Sequence, residues 1–571
     1  MHGSKRFFGR GGSEARPEIR DSDAEEIAMN KRTQRERVEK TKGPLALGLW
    51  AMFLLVFGAQ FAFGMWMNSR GFLWNDALSR AASALITLHS ADPRLVAVGF
   101  VWMPLPSLVE LLWVFFYPLW PGIVSSGFAS TFTTALAGGA TATLLLYTAR
   151  RLGLPERLGW AFALLVATNP MLFLYGSNGM SEGVAAPFLT GAVAFLVLFW
   201  HSGQRRYVTA GALALALGFA SLYEAVPLGA ALFTAMVLGI LFSSENEQEV
   251  FRSHRENLAS LGILLLIPSL CVAALWVGAN AFIVGDALFF ATSGYSNLGI
   301  TATSDTGLDQ SIRGSVLATL GFVAERTLPF LIPGAFLVLI RALDGRFWRI
   351  NTLSLVLLLT SVPLGLIAPL IYLGASFGWL RFFIYPLFVA AGWGLYEVAS
   401  SLHPRRAAGL VLVGWIVAVP VVLSAMANPD LGRDENPEVR ALVTGKDASE
   451  VSFDAGTGSI TRATEVARYL NELPEESRVA LDTAGWSIAA QVSPKRLKSL
   501  ILIHDSRFRE AVSDPEAYDT AYLLVPNPSK APNDFIVQRW PSLWSDGDPE
   551  FELVESFPET PEEWRLYRVV R

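Results

Sequence analysis

Apolar runs long enough to cross a bilayer follow one another through the middle of the chain, separated by short polar turns. A spanning helix needs ~17–25 mostly apolar residues. Eleven segments meet that need: 44–66, 123–149, 158–175, 184–201, 206–222, 225–243, 258–283, 327–343, 352–374, 380–400 and 406–427. The stretch Asn68–Glu110, directly after the first run, breaks the pattern. It sets Asp76 and Arg80 four residues apart, one turn of a helix. Trp102, Pro104 and Pro106 then lead an apolar run that ends too soon to span comfortably. An acidic loop pressed onto a membrane surface is a place where a lipid-borne substrate can meet a carboxylate.

Arginines orient the spans. Lys31–Lys42 is a basic patch just before the first run, which places the N-terminus inside. Alternation then puts Arg150, Arg151, Arg157, Arg205, Arg206, Arg252, Arg255, Arg341, Arg346, Arg349, Arg405 and Arg406 in inner loops, as the positive-inside rule requires. Asp76, Arg80, Asp92, Glu110, Glu182, Glu224, Asp286, Arg313, Arg326 and Arg381 fall on the outer side, where the loops Asn68–Pro121 and Gly285–Arg326 are long. An odd number of spans leaves the C-terminus outside. The working face is expected there.

Beyond residue 428 the pattern becomes that of a soluble fold. Period-2 or short apolar runs at 479–482, 499–503, 521–526, 551–557 and 564–570 predict strands. Helical patterns over Thr461–Leu473 and Asp505–Ser513 lie between them, so a small, separable α/β domain is expected. The expected organisation is thus a disordered basic cytoplasmic tail (1–42), a transmembrane module (43–427) and an extracytoplasmic α/β domain (428–571). The fold class is mostly α, a polytopic membrane helical bundle with a large first outer loop.

Composition agrees with that picture. Of 571 residues, 52% are hydrophobic and only 17% charged, against roughly a quarter in soluble domains. The single cysteine, Cys271, excludes an intrachain disulfide. No phosphate-gripping glycine fingerprint and no His/Cys cluster of metal-ligand spacing occurs, so neither a nucleotide, a nucleic acid nor a tightly bound metal or cofactor is expected.

Four segments carry candidate chemistry. Asp76 could merely cap a helix, but ionisable groups beside a span are costly and tend to serve function. Desolvation would suit it as a general base. Arg80 either pairs with Asp76 or holds a phosphate. NPMLFLYGSNGMSEG (169–183) bends one span and carries Glu182 at the start of the next, where an acid also suits the helix dipole. SLYEAVPL (221–228) leaves Tyr223 and Glu224 at a turn with almost no loop, and GWLRFFIYPL (378–387) holds a lone arginine, Arg381, among aromatics. Snorkelling explains Arg381 as well as phosphate binding does.

The order NDALSR (75–80), VWMPLP (101–106), NGMSE (178–182), LYEA (222–225), FIVGDALFF (282–290) and LRFFIYPL (380–387) resembles the polytopic membrane glycosyltransferases of the C-type fold, over roughly residues 44–427. Protein O-mannosyltransferases and lipid A aminoarabinose transferases are members. The resemblance implies a polyprenyl-phosphate sugar as donor and an acid of the first outer loop as catalytic base, here Asp76. It implies that Glu182 lines the same cavity. Tyr223, Glu224, Arg80, Arg381 and Trp102 are the expected substrate- or phosphate-binding residues. The first loop has Asn75-Asp76 where some branches have paired acids. The expected protein is therefore an inverting hexosyl- or pentosyltransferase of the cell membrane, acting on a glycan, lipid or protein acceptor. A lipid or oligosaccharide transporter and a non-catalytic scaffold are the alternatives; transporters gather polar groups at the midplane between related halves, and no such halves repeat.

Overall fold

The computed structural model describes residues 42–242, 257–303, 308, 311–451, 459–482, 485–558 and 563–570. The tail through residue 41 and the inner-loop arginines Arg252 and Arg255 lie outside the described residues. Lys42–Ala51, the start of the first helix, forms one unit, and Met52–Arg571 forms the other.

Each of the eleven predicted segments is helical over most of its described length, the second being broken at Ser126–Gly127 between Gly122–Ser125 and Phe128–Arg151. In chain order the helices are α1 (Lys42–Ser69), α2 (Asn75–His89), α3 (Leu105–Val114), α4 (Phe128–Arg151), α5 (Glu156–Ala167), α6 (Pro170–Tyr175), α7 (Ser181–Ser202), α8 (Arg205–Ser221), α9 (Ala225–Leu241), α10 (Leu258–Val284), α11 (Val316–Leu343), α12 (Ile350–Leu373), α13 (Leu380–Ser400) and α14 (Pro404–Ala427). Eight are long and apolar enough to cross a bilayer by themselves. The exceptions among the eleven have physical causes. Pro170 forces Asn169 into an extended conformation and splits the third segment into α5 and α6, the Asn169 side chain capping the second piece through Met171 N at 3.2 Å. Helices α8 and α9 have 17 residues each and are joined by the short turn 222–224. The second long loop is shorter than expected, because α11 begins at Val316 rather than near 327.

The spans differ in how deeply they sit. The apolar window of α7 is 83% buried and that of α13 is 89% buried, whereas that of α10 is 17% buried. These two central helices cross closely: a Cβ on Gly392 of α13 would lie 2.6 Å from the Thr190 carbonyl of α7. One end of the bundle carries the arginine-rich turns, and the other carries the first loop, the 176–180 turn, the 222–224 turn and the exit of α14. The first loop is itself structured, with α2, a short 3₁₀ turn (Leu95–Val98) and α3.

After α14 come α15 (Asn436–Thr444) and a domain of five strands: β1 (Arg478–Leu481), β2 (Leu500–Leu502), β3 (Thr520–Val525), β4 (Phe551–Phe557) and β5 (Trp564–Val569). They match the five predicted runs. The sheet order is β2-β1-β3-β5-β4, parallel across β2, β1 and β3 and antiparallel from β3 onward. Alternation sorts the side chains onto two faces. Ala480, Ile501, Leu523 and Val525 pack with Phe508, Ala511, Val512 and Ile536 on one side. Val479, Leu481, Leu500, Leu502 and Leu524 face the other, against Val466 and Leu470 of the helix Ser459–Glu472. That second cluster continues without a break into the first loop, through Leu78, Ala82, Leu85 and Ile86 of α2 and Tyr117. Polar contacts lock the same junction: Lys498 Nζ donates to the Ser90 carbonyl at 2.8 Å, and Ser506 N donates to Asp92 Oδ2 at 2.7 Å. The sheet domain thus holds the first loop, and the first loop positions Asp76.

Candidate active site at the loop end of the bundle

Asp76 lies in the first turn of α2, with Trp74 just before the helix begins. A carboxylate there is favoured by the helix dipole, and most of the Asp76 side chain (59%) is exposed. Glu182 occupies the matching position in α7 but is 5% exposed. The turn before it depends on Gly179. Its φ of +81° disfavours a side chain, and a Cβ would stand 2.9 Å from Ala77 and 2.6 Å from Ser130. Glycine therefore lets the head of α7 touch the head of α2, next to Asp76.

Arg381 completes the centre. It sits at the start of α13, 5% exposed, with its guanidinium carbon 4.1 Å from the Trp379 ring centroid and 5.6 Å from that of Trp74. Nη2 donates to Asp76 Oδ2 at 2.9 Å, Nη1 donates to Asp434 Oδ2 at 2.8 Å, and Nε lies 3.4 Å from Glu182 Oε1. Three carboxylates from three distant segments meet on one guanidinium. Arg381 does not reach away to the interface as a snorkelling side chain would; it points into the protein.

Other candidates fall around this centre. Arg80 does not pair with Asp76, which is taken by Arg381; its electrostatic neighbours are Asp76, Glu110, Glu182 and Tyr223. Glu110 is buried and accepts from Ser130 Oγ at 3.2 Å. Glu224 faces Glu182, Tyr385 and Arg381, and burial pushes its carboxyl up to about 7. Tyr223 donates to the Val101 carbonyl at 2.8 Å and accepts from Trp276 Nε1 at 3.2 Å, pinning the first loop to α10. Trp102 is exposed on that loop and takes no part in the ion pairs of the centre. Asp286 has a structural role, accepting from Leu288 N and Thr292 Oγ1.

Sequence reasoning missed the strap that follows α14. Besides Asp434, it brings Glu435, fully buried, which accepts from Tyr175 Oη at 2.6 Å. Burial and then the neighbouring Asp434 push the Glu435 carboxyl up to about 8. Glu438 is also buried, and burial raises its carboxyl well above the ordinary range. The strap is fastened by Arg326, which donates to the Asp430 carbonyl at 3.0 Å, and by Arg70, which donates to the Gly445 carbonyl at 2.7 Å. The missed signal is NPDLGRDENPE (428–438), acids within a few residues of a span exit, the same feature that marks Asp76.

Bundle and charged centre first define a class: a polytopic membrane protein with an ionisable site where its spans meet its loops. The family model described as dolichyl-phosphate-mannose-protein mannosyltransferase then matches residues 114–276, a stretch that contains Glu182, Tyr223 and Glu224. The resemblance drawn from the sequence motifs to membrane glycosyltransferases is borne out over that stretch. Among solved structures, ArnT from Cupriavidus metallidurans bound to undecaprenyl phosphate is 15% identical, with a TM-score of 0.49 over 93% of this chain and 98% of that chain. Its apo state gives 14% and 0.47, over 92% and 98%. The arabinofuranosyltransferase AftD from Mycobacteria gives 16% and 0.35, over 91% of this chain and 40% of that one. No curated protein sequence matches the chain.

Proposed function

We propose that this protein is an inverting glycosyltransferase that moves a sugar from a polyprenyl phosphate to an acceptor at the loop end of its bundle, and that this end faces away from the cytoplasm. The observation that carries the reading is the convergence of Asp76, Glu182 and Arg381 on one point, from segments more than a hundred residues apart. The family match supports the sugar-transfer class. ArnT is a protein described as bound to undecaprenyl phosphate, a donor carrier of the kind proposed here.

The roles follow from charge and exposure. Asp76, open to solvent, takes the proton from an acceptor hydroxyl arriving from the loop side. The acceptor oxygen bonds to the anomeric carbon as the bond from that carbon to the phosphate oxygen breaks, and the configuration inverts. The leaving polyprenyl phosphate gains negative charge. Arg381, a guanidinium with a planar donor fork, is suited to hold it, and Arg80 adds positive charge nearby. Glu182 keeps Arg381 oriented from below. Glu224 and Tyr223 shape the wall on the α8–α9 side, and Trp102 offers an exposed ring to a sugar or lipid. The donor carries its own activated bond, so the scheme requires no resident cofactor or metal, and the acceptor is a glycan, lipid or protein. On this reading the protein resides in the cell membrane with its N-terminus cytoplasmic.

Two experiments test this. Purified protein in proteoliposomes, given labelled polyprenyl-phosphate sugars and a cell-envelope extract, is expected to release sugar-free lipid phosphate and label an acceptor; no transfer from any such donor contradicts the reading. Reporter fusions at Ser202 and at Arg571 are expected to mark opposite sides of the membrane, and both on one side contradicts the orientation.

A further inference from the structure

The way Asp76 is held goes beyond its assignment as a base, although it rests on the donor reading above. A carboxylate that accepts from an arginine has that oxygen occupied, which hinders it from taking a proton there. Yet Asp76 Oδ2 accepts from Arg381 Nη2 at 2.9 Å, and Arg381 is the group that has to receive the phosphate. A phosphate that takes the Nη2 donor competes with Asp76 for it.

The surroundings decide which contact yields. Arg381 meets three carboxylates with a single positive charge. Adding a phosphate to that group without losing one would crowd four anions around one cation. Glu182 and Asp434 are 5% and 14% exposed, and moving either means repacking α7 or the strap. Asp76 is 59% exposed and its side chain can rotate into solvent at the head of α2. Nη1 stays on Asp434, so the guanidinium keeps its orientation while Nη2 changes partner. The released carboxylate remains within the field of Arg80, one turn along the helix.

We infer that Arg381 is an exchange point: the donor phosphate displaces Asp76 from Nη2, and only then is Asp76 available as a base. The donor must therefore bind before the acceptor is activated. In the resting protein the base stays capped by Arg381.

The exchange predicts that the supposed catalytic base opposes donor binding. The test is the affinity of the full-length protein in nanodiscs for a sugar-free polyprenyl monophosphate, measured without turnover. Asp76→Asn removes the competing charge and is expected to tighten binding about fivefold, the scale of a half-exposed ion pair. In an Arg381→Gln background, the same Asp76→Asn change is expected to leave affinity where it was. Unchanged or weaker binding in Asp76→Asn overturns the exchange alone. Tightening that persists in the Arg381→Gln background also overturns it, because general charge repulsion then explains the effect. A wild type that binds no polyprenyl phosphate overturns the donor reading and the exchange with it.

Discussion

Helix α13 carries an ionic cluster at each end, roughly 25 Å apart at 1.5 Å per residue, and the two are built on different terms. At the arginine-rich end, Glu397 is paired with both Arg341 and Arg346 and accepts from Trp393 Nε1 at 2.7 Å. Arg341 Nε donates to Thr352 at 2.8 Å, Arg346 reaches Asp344 and Ser400, and Asp344 also accepts from Ser401. Two arginines face two acids, and nearly every donor is used, with Arg346 Nε left over. At the loop end, Arg381 alone contacts three acids, with Arg80 the nearby second cation, while among the described residues Arg381 Nε, Glu182 Oε2 and Glu435 Oε2 have no hydrogen-bond partner. A balanced, satisfied network fastens helices together. An unbalanced one with idle polar atoms costs stability and is retained where something else is to bind.

The strongest way to break this contrast is at the satisfied end. Glu397→Ala leaves two buried guanidinium groups without their shared acid, a loss of about 3–5 kcal/mol. The expected result is a sharp fall in melting temperature and in folded yield, which thermal unfolding in detergent measures. A stable Glu397→Ala protein would make the two ends equivalent. Next is Arg381→Gln, expected to cut transfer by about a hundredfold through lost phosphate stabilisation while lowering the melting temperature less than Glu397→Ala does. A larger stability loss at Arg381 than at Glu397 would reverse the distinction.

A smaller effect sharpens the contrast through pH. The Glu435 carboxyl is pushed up to about 8 by burial, so the folded protein holds a proton that the unfolded chain gives up near 4.3. Between these values the folded state binds more protons, and stability falls as pH rises; above about 8 both states are ionised and the loss is complete. Glu435→Gln cannot ionise. Its melting temperature is expected to match wild type near pH 5 and to exceed it increasingly towards pH 8. A constant difference across that range would contradict the buried, protonated strap.

Much of this was legible before the structure. Span positions followed from apolar length, and the five strands followed from short apolar or alternating runs. Asp76, Glu182 and Arg381 were each singled out because an ionisable group beside a span is expensive to keep. The resemblance implied that Glu182 shares a cavity with Asp76, but their meeting on Arg381 was not legible, since nothing local in three separated turns fixes which helices adjoin; that depends on close approaches such as Gly179 against Ala77 and Gly392 against Thr190. The four-residue spacing of Asp76 and Arg80 suggested a pair, but Asp76 bonds across the bundle instead, because Arg381 offers a buried, preorganised fork. Asp434, Glu435 and Glu438 were passed over for a different reason. They lie where composition turns soluble, and an acid there reads as surface until the chain is seen to fold back over the site. Trp102, chosen for its place in a motif, stays on the surface.

The central claim is that Asp76 takes the acceptor proton. The direct measurement is the single-turnover rate of sugar transfer by Asp76→Asn, with donor bound to saturation in proteoliposomes, beside the wild type. The substitution keeps the size of the side chain and removes its basicity. The account predicts a rate lower by ~10²–10⁴-fold with donor held at least as tightly as in the wild type. A rate within a few-fold of wild type would contradict it.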